Sequence, residues 1–353
     1  MKLDSVDFDD LKGWSPAALA RAWPTFLKSC EAIAFGHQPL RAGLNPDPAF
    51  VAICRAALDL EPQASIVDRF FRSNFVPVRP GPGFVTGYYE PEVRGSRERT
   101  SVYRAPLFCR PSDLVDVRGT RIEGWDPAIE GARIGCAGRL EPYPERREIE
   151  AGELGEKAQP LVWLEDHVEV FLIQVQGSAR VVFPDGERIR LVYDGRNGRP
   201  YTSIGRELIE RGEIRQEDMS LATLKSWLRA NGLEIGQRGR EVMQLNKSYV
   251  FFRQADAATP APVGGQGVPL TPLRSIAIDR SLWGYGVPVW INVDLSTTGF
   301  EPGRLAGLMI GQDTGSAIVG PARADIFIGS GSAAGEIAGK IRHPADFIAF
   351  VPK

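Results

Sequence analysis

The sequence contains no apolar run approaching the ~20 residues that a membrane-spanning helix needs, so the chain is expected to be soluble. Its three histidines, His37, His167 and His343, are scattered. None has a histidine, cysteine or carboxylate at ligand spacing; each reads as a surface or packed side chain, and neither metal nor cofactor is expected. The four cysteines, Cys30, Cys54, Cys109 and Cys136, form no CxxC pair. Cys30 and Cys54 fall on expected helices and read as packed thiols, with an oxidised pair as the alternative. A GxSxG elbow, a GxxxxGK[ST] loop and a strand-linked GxGxxG are all missing, which removes the usual serine-hydrolase and nucleotide-binding readings. Lysine and arginine are dispersed and the net charge is −2, so no phosphate-neutralising surface for nucleic acid is expected. The opening MKLDSVDFDD lacks the basic, apolar and small-residue pattern of a secretory signal and has no cysteine for lipid attachment. Either a signal has been removed or the protein stays inside.

What is present is an ordinary globular composition, 43% hydrophobic and 24% charged, over 353 residues. That length suggests two domains at roughly 150 residues each. Ser15-Pro16 is a cap followed by a first-turn proline, and Leu19, Trp23, Phe26 and Leu27 recur at helical spacing, with Pro24 expected to kink or shorten the helix. Asp47-Pro48 repeats the start signal ahead of Phe50, Ile53, Cys54 and Ala57, and Ile66, Val67, Phe70 and Phe71 mark a third helix. The PVRPGPG run, Pro77 to Gly83, reads as a connector. Antiparallel strands are then expected in FVTGYYEP, in the Phe171 to Val175 run ahead of QGSARVVFPDG, and in RIRLVYDG. Helices return at Ser203 to Arg211, closed by Gly212, and at Ser220 to Ala230, with Gly232 past the end. DAATPAPVGGQG, Asp256 to Gly267, has the composition of an exposed linker. SIAID, VPVWINVDL, LAGLMIGQD, ADIFIG and DFIAFVP are short strands between glycine-rich turns, which favours a small barrel over a parallel sheet with crossover helices.

Three aspartates stand out at strand ends: Asp279 in SIAIDRSLWG, Asp313 in GQDTGSAIVGP and Asp325 in RADIFIGSGSAAG. A carboxyl group partly desolvated at a barrel rim has a raised pKa, and a second carboxylate nearby raises it further. A carboxylic acid that keeps its proton near neutral pH can protonate a glycosidic leaving oxygen. The alternative is that strand-end aspartates cap turns by accepting backbone N–H bonds. Asp325 differs in preceding an apolar triplet and then a Gly/Ser/Ala stretch, including Gly329 and Gly331, that leaves room for a ligand beside the backbone.

VTGYYEP, FLIQVQGSAR, YDGRNGRPYTSIGRELIERGEI, NKSYVFFR, VPLTPLRSIAIDRS and GQDTGSAIVGPARADIFIGSGSAAG resemble, in order and spacing, the membrane-bound lytic murein transglycosylase A family. The resemblance runs from Gly13-Trp14 to the end. It implies a mainly β fold with N-terminal helices, in which a double-psi β-barrel domain carries a second, β-rich domain inserted in it. Residues 1–90 would hold the helices and the first part of the barrel, 91–245 the insert, and 246–353 the rest of the barrel with the aspartates. The glycan would lie between the two domains.

The family's three aspartates fall on Asp279, Asp313 and Asp325, the expected catalytic set, with Asp325 the proton carrier, Asp313 its neighbour and Asp279 a support for the barrel loop; Asp294 reads as structural. Thr86, Tyr88, Tyr89, Gln176, Gly177, Ser178, Gly329 and Gly331 are the expected substrate-binding residues, since sugars bind by aromatic stacking and by hydrogen bonds to hydroxyls and acetamides. Of Tyr88 and Tyr89, neighbours on a strand, one is expected to be buried, and Trp283 and Trp290 are candidate core. Ser316 and Val319 stand where the family usually has glycine and lysine, and Ala179 where glycine is common.

The implied reaction is cleavage of the β-1,4 bond between N-acetylmuramic acid and N-acetylglucosamine in peptidoglycan, with 1,6-anhydromuramic acid formed and a single aspartate acting as acid and then as base. An inverting two-aspartate endoglucanase and a non-catalytic expansin-type polysaccharide-binding module are the rival readings. The implied partners are peptidoglycan strands, not nucleic acid or metal. The implied location is periplasmic and outer-membrane-associated, and the protein is expected to be a monomer. Membership of cell-wall synthesis or division complexes leaves no signature in the sequence.

Overall fold

The computed structural model describes residues 3–135, 138–256 and 261–353. Cys136 and part of the 256–267 segment lie outside the described residues. The chain divides into two compact units, Met1–Glu90 with Thr259–Lys353, and Pro91–Ala258.

In the first unit, capping signals start the helices as the sequence suggests. Ser15 Oγ accepts from Ala18 N at the head of α1 (Pro16–Ala34), and Asp47 accepts from Ala49 N at the head of α2 (Pro48–Leu58). Helix α3 (Ala64–Asn74) follows. Pro24 does not shorten α1: it sits on the exposed face, while Leu19, Trp23, Phe26 and Cys30 are buried along the other side. Burial of such side chains stabilises by roughly 1.5–3 kcal/mol each, enough to offset one lost backbone hydrogen bond. Cys30 and Cys54 are free thiols in this layer.

The barrel closes as a ring. Strand Gly83–Glu90 runs parallel to Arg323–Ser330, which is antiparallel to Ser275–Ile278, and that strand runs parallel to Arg304–Asp313. Arg304–Asp313 pairs antiparallel with Pro288–Asp294, then Pro288–Asp294 with Arg342–Pro352, which returns to Gly83–Glu90. The expected antiparallel character of the VTGYYEP strand is therefore only half right, because one of its two neighbours is parallel. Strand alternation sends Val85, Ile276, Ile278, Val289, Ile291, Met309, Ala324, Ile326 and Phe347 into the interior. On the outside, Trp290, Leu308, Ile310 and Phe350 pack against the helical layer. Trp283 is also buried, its Nε1 donating to Pro321 O at 2.8 Å. The supposed connector at Pro77 is partly strand: Phe75–Arg79 pairs with the end of Arg342–Pro352, and the turn begins only after Arg79.

The second unit holds a six-stranded sheet in the order Val250–Gln254, Arg188–Arg196, Ser178–Val182, Glu92–Ser96, Pro160–Leu164, Ala105–Phe108. Because Val250–Gln254 completes this sheet by pairing with Arg188–Arg196, the boundary with the barrel falls later than residue 245. Phe171–Val175, expected as a strand, belongs to a helix, His167–Gln176. Asp166 caps it through Val168 N and Glu169 N, and Gly177 ends it at φ 81°. A continuous apolar run cannot distinguish a buried strand from a helix buried on most sides, and Val168, Phe171 and Leu172 here meet Ile204, Leu208, Leu228 and Met243 of the neighbouring helices. The 203–211 and 220–230 helices form as expected, as Ile204–Glu210 and Leu221–Ala230. The unit is mainly β with helices on the sheet, and the whole chain is of the mainly β class with N-terminal helices.

Candidate active site

Thr86 and Tyr88 point outward from the barrel strand Gly83–Glu90, and in the parallel register Asp325 lies opposite Thr86 and Phe327 opposite Tyr88. The outward face of these strands therefore carries two polar and two aromatic side chains in adjacent pairs. Asp325 is the third residue of its strand, not a strand-end residue as the sequence suggested. Thr86 Oγ1 donates to Asp325 Oδ1 at 2.5 Å, and Arg323 Nη2 donates to the same Thr86 oxygen at 2.7 Å. Asp325 is half-buried, densely surrounded by protein with part of the residue still accessible. Burial pushes its carboxyl up to about 6, and the negative charge of Asp313 acts in the same direction. The Thr86 hydrogen bond and the Arg323 guanidinium pull the other way. Burial wins because it penalises only the charged form.

Asp313 ends the strand Arg304–Asp313. Its Oδ1 accepts from Gly265 N and Thr314 N, both at 2.8 Å, and its Oδ2 accepts from Tyr88 Oη at 3.0 Å. Burial, then the charge and hydrogen bond of Asp313, and then the charge of Asp325 hold the Tyr88 phenol well above its ordinary value. Beneath lies a small apolar cluster of Tyr88, Leu270, Ala277, Ile318 and Phe327. Behind Asp313 the neighbouring Gln312 is fully buried. Its Nε2 donates to Thr25 O at 2.9 Å and Ser29 Oγ at 2.8 Å on α1, and its Oε1 accepts from Ser275 Oγ at 2.6 Å. The strand end is thus anchored to the helical layer.

Asp279 is placed differently. Its Oδ1 accepts from Ser281 N at 3.0 Å and Ser281 Oγ at 2.6 Å, and its Oδ2 from Gly320 N at 2.8 Å. Although burial raises its pKa, the bonds from Ser281 and Gly320 outweigh that and leave the carboxyl below its usual range. This is the geometry of a loop clasp. Asp294 is a turn aspartate, accepting from Ser296 N at 3.0 Å.

Tyr88 and Tyr89 do point to opposite faces, yet both are buried: Tyr88 against Phe327, Tyr89 over Gly335, where a Cβ would come within 2.7 Å of its ring. Neither presents the open ring face that sugar stacking requires. The Gly/Ser/Ala stretch forms a short helix, Ser332–Ala338, and Gly87 and Gly335 serve its close packing on the Gly83–Glu90 strand. Gly329 (φ 142°) and Gly331 (φ 87°) make the turn into it, and Gly331 N donates to Glu90 O at 2.8 Å. Gln176, Gly177 and Ser178 belong to the second unit, at the end of the His167–Gln176 helix and the start of the next strand. Ala179 is fully buried in that unit's core, whereas Ser316 and Val319 are exposed.

Sequence reasoning missed three contributors. Arg323 reads as an ordinary surface arginine. Gly265 sits in the segment expected to be an exposed linker, yet Gly264, Gly265 and Gln266 are buried and fastened to Asp313 and α1. Arg41 donates to Thr314 O at 2.5 Å, closing the same loop. The available signal was the apolar framing of Gly-Gly-Gln by Val263, Val268 and Leu270, which does not suit a free linker. Among the described residues, no group of three or more His, Cys, Asp or Glu is placed to hold a metal ion, and no helix is long and apolar enough to cross a membrane.

Fold and site together define a mixed β-barrel protein with an inserted β-rich unit, equipped for acid–base chemistry on a carboxyl group. Residues 84–253 match the MltA specific insert domain, and residues 274–351 match the 3D domain. A crystal structure of a membrane-bound lytic murein transglycosylase from Agrobacterium tumefaciens is 36% identical, with 100% of this chain and 98% of that one covered at a TM-score of 0.86. A structure of MltA from Neisseria gonorrhoeae is 31% identical over 99% of this chain and 92% of that one, at a TM-score of 0.77. The curated membrane-bound lytic murein transglycosylase A of Vibrio cholerae is 32% identical over 265 residues, which span 73% of this chain and 62% of that protein's length. The chain belongs to the membrane-bound lytic murein transglycosylase A family.

Proposed function

We propose that this protein cleaves peptidoglycan glycan strands as a lytic transglycosylase, with Asp325 as the sole proton carrier. In the first step Asp325 gives its proton to the β-1,4 oxygen as the bond from the N-acetylmuramoyl anomeric carbon breaks. In the second, the resulting carboxylate takes the proton from the same sugar's C6 hydroxyl as that oxygen bonds to the anomeric carbon, giving the 1,6-anhydro product. The carboxyl regains its proton, so atoms and charge balance. The carrying observation is the half-buried Asp325 carboxyl, hydrogen-bonded on Oδ1 by Thr86 and flanked by Asp313; burial pushes it up to about 6, and a group that must act first as acid and then as base works best with a pKa close to the ambient pH.

The two-carboxylate hydrolase reading is less favoured. It needs a second carboxylate free to activate water or attack carbon, whereas the Asp313 oxygens already accept from Gly265 N, Thr314 N and Tyr88 Oη. We assign Asp313 an electrostatic role beside Asp325, and Asp279 a structural one. Action as a monomer in the periplasm, at the outer membrane, is part of the same proposal; the membrane-bound designation of the relatives supports its membrane association alone.

Digestion of purified sacculi followed by mass spectrometry tests the reaction. New ends should be 1,6-anhydromuramoyl residues, one water lighter than hydrolytic ends. Free reducing ends as the main product would overturn the transglycosylase reading, and cleavage of cellulose in place of sacculi would favour the endoglucanase.

A further inference from the structure

Arg323 is held by three features. Its Nη1 donates to Ala324 O, its guanidinium lies 5.6 Å from the centre of the Phe84 ring, and its Nη2 donates to Thr86 Oγ1 at 2.7 Å. A threonine hydroxyl has one hydrogen to donate, and an arginine can only donate. With Arg323 occupying a lone pair of Thr86, the hydroxyl hydrogen is directed to Asp325 Oδ1, 2.5 Å away. Oδ1 is thereby an acceptor whether or not the carboxyl is protonated. Oδ2, by contrast, accepts no hydrogen bond among the described residues and is not a sealed, unpartnered atom.

We propose that Arg323 is a positioning residue that acts through the Thr86 hydroxyl to reserve Asp325 Oδ1 as acceptor, leaving Oδ2 as the oxygen that delivers and recovers the catalytic proton. This rests on the reaction assigned to Asp325 above. A carboxyl whose two oxygens were equivalent would present its proton to the substrate in only part of its conformers. The relay removes that ambiguity by fixing which oxygen faces the substrate. It also acts against burial, so that the group can still ionise for the second step. The other groups facing Asp325 are Asp313 at the end of Arg304–Asp313 and Tyr88 on Gly83–Glu90, with Arg41 acting on Tyr88. The neighbouring strand Ser275–Ile278 contributes only Ala277 opposite Asp325.

The test is a carboxyl ¹³C NMR titration of the unliganded protein, with the Asp325 resonance identified by its loss in Asp325→Asn. Arg323→Gln and Thr86→Val should each move the Asp325 midpoint upward by about one pH unit. Arg323→Lys, which keeps the charge, should move it less. In the Thr86→Val background, Arg323→Gln should add less than it does alone, because part of its effect runs through the hydroxyl. The alkaline limb of the kcat/KM profile on sacculi should move up with the midpoint, and Thr86→Ser should restore both. An unmoved midpoint in folded Arg323→Gln, or full additivity with Thr86→Val, overturns the relay. The NMR arm is independent of turnover: a midpoint that moves as stated in a protein yielding only reducing ends would sustain the relay and sink the transglycosylase reading instead.

Discussion

Tyr88 and Asp313 are joined by a 3.0 Å hydrogen bond from the phenol to Oδ2, on the outer face of the barrel and next to the Asp325 carboxyl. The negative charge of Asp313 is one of the two influences that raise Asp325, after burial. Asp313→Asn keeps the shape and removes that charge, so the Asp325 pKa should fall. Because the acid form is needed for the first step, the alkaline limb of kcat/KM should then shift to lower pH, opposite in sign to the shift expected for Arg323→Gln. A pH–rate profile of the variant on sacculi, with no movement of that limb, would break the electrostatic assignment.

Asp325→Asn should lower the cleavage rate by about 10³-fold or more, since the amide cannot transfer the proton, and it should also stabilise the fold. A carboxyl raised from 3.8 to about 6 binds its proton more tightly when folded. Stability is therefore lost as pH rises through the interval from about 4 to 6, and the penalty is complete above it. Two units correspond to at most about 3 kcal/mol, less for a group with residual solvent access. Thermal melts should place the variant above wild type at pH 7.5 and level with it near pH 4. A variant less stable than wild type at pH 7.5 would contradict the burial argument.

Asp313 and Asp325 were singled out in the sequence as carboxyl groups beside apolar strand segments, and the structure brings them near each other; turn capping, the other reason for an aspartate there, is what Asp279 and Asp294 do. Their roles were less legible. Asp279, Asp313 and Asp325 look alike in sequence, but one accepts from a serine and a loop amide, one from three donors including a tyrosine, and one from a single threonine. Such differences arise from residues distant in the chain: Thr86 lies 239 positions from Asp325. The Phe171–Val175 misreading has a similar origin, since only the packing of Ile204, Leu208 and Met243 decides that an all-apolar run is helical. The α1 and α2 starts were read correctly because capping is local chemistry; α3, which has no side-chain cap, was read from its apolar stripe alone.

Asp279→Ala should cost stability and not chemistry. It removes the acceptor for Ser281 N, Ser281 Oγ and Gly320 N, and stranded donors cost roughly 1–3 kcal/mol. Because the folded carboxyl is held below its usual range, its stabilising contribution is present above the unfolded pKa and is lost as pH falls through the folded one. The difference in melting temperature from wild type should therefore be full at pH 6 to 8 and shrink on acidification below about pH 4. A folded variant with normal stability but a rate reduced as far as that of Asp325→Asn would return Asp279 to the catalytic set.

Gly265→Ala should loosen the Asp313 loop for a specific steric reason. A Cβ at this position would lie 2.6 Å from Tyr285 Oη and 3.1 Å from Thr314 Cγ2. Either the glycine backbone moves, which stretches the Gly265 N bond to Asp313 Oδ1 and the Arg41 N bond to Gly265 O, or Tyr285 moves and gives up its 3.0 Å bond to Arg41 O. Both routes weaken the segment that holds Asp313 beside Asp325. Overpacking of this kind costs on the order of 1–3 kcal/mol, and the cleavage rate should fall by about tenfold or more. The clash is with one oxygen atom, and the next Tyr285 atom is 3.3 Å away. Tyr285→Phe removes that oxygen, so the double variant should recover part of the melting temperature and part of the rate lost in Gly265→Ala, even though Tyr285→Phe alone is itself mildly destabilising. Strict additivity of the two substitutions in thermal melts and sacculus digestion would show that Tyr285 is not what the added methyl meets, and that the buried Gly-Gly-Gln segment positions Asp313 in some other way.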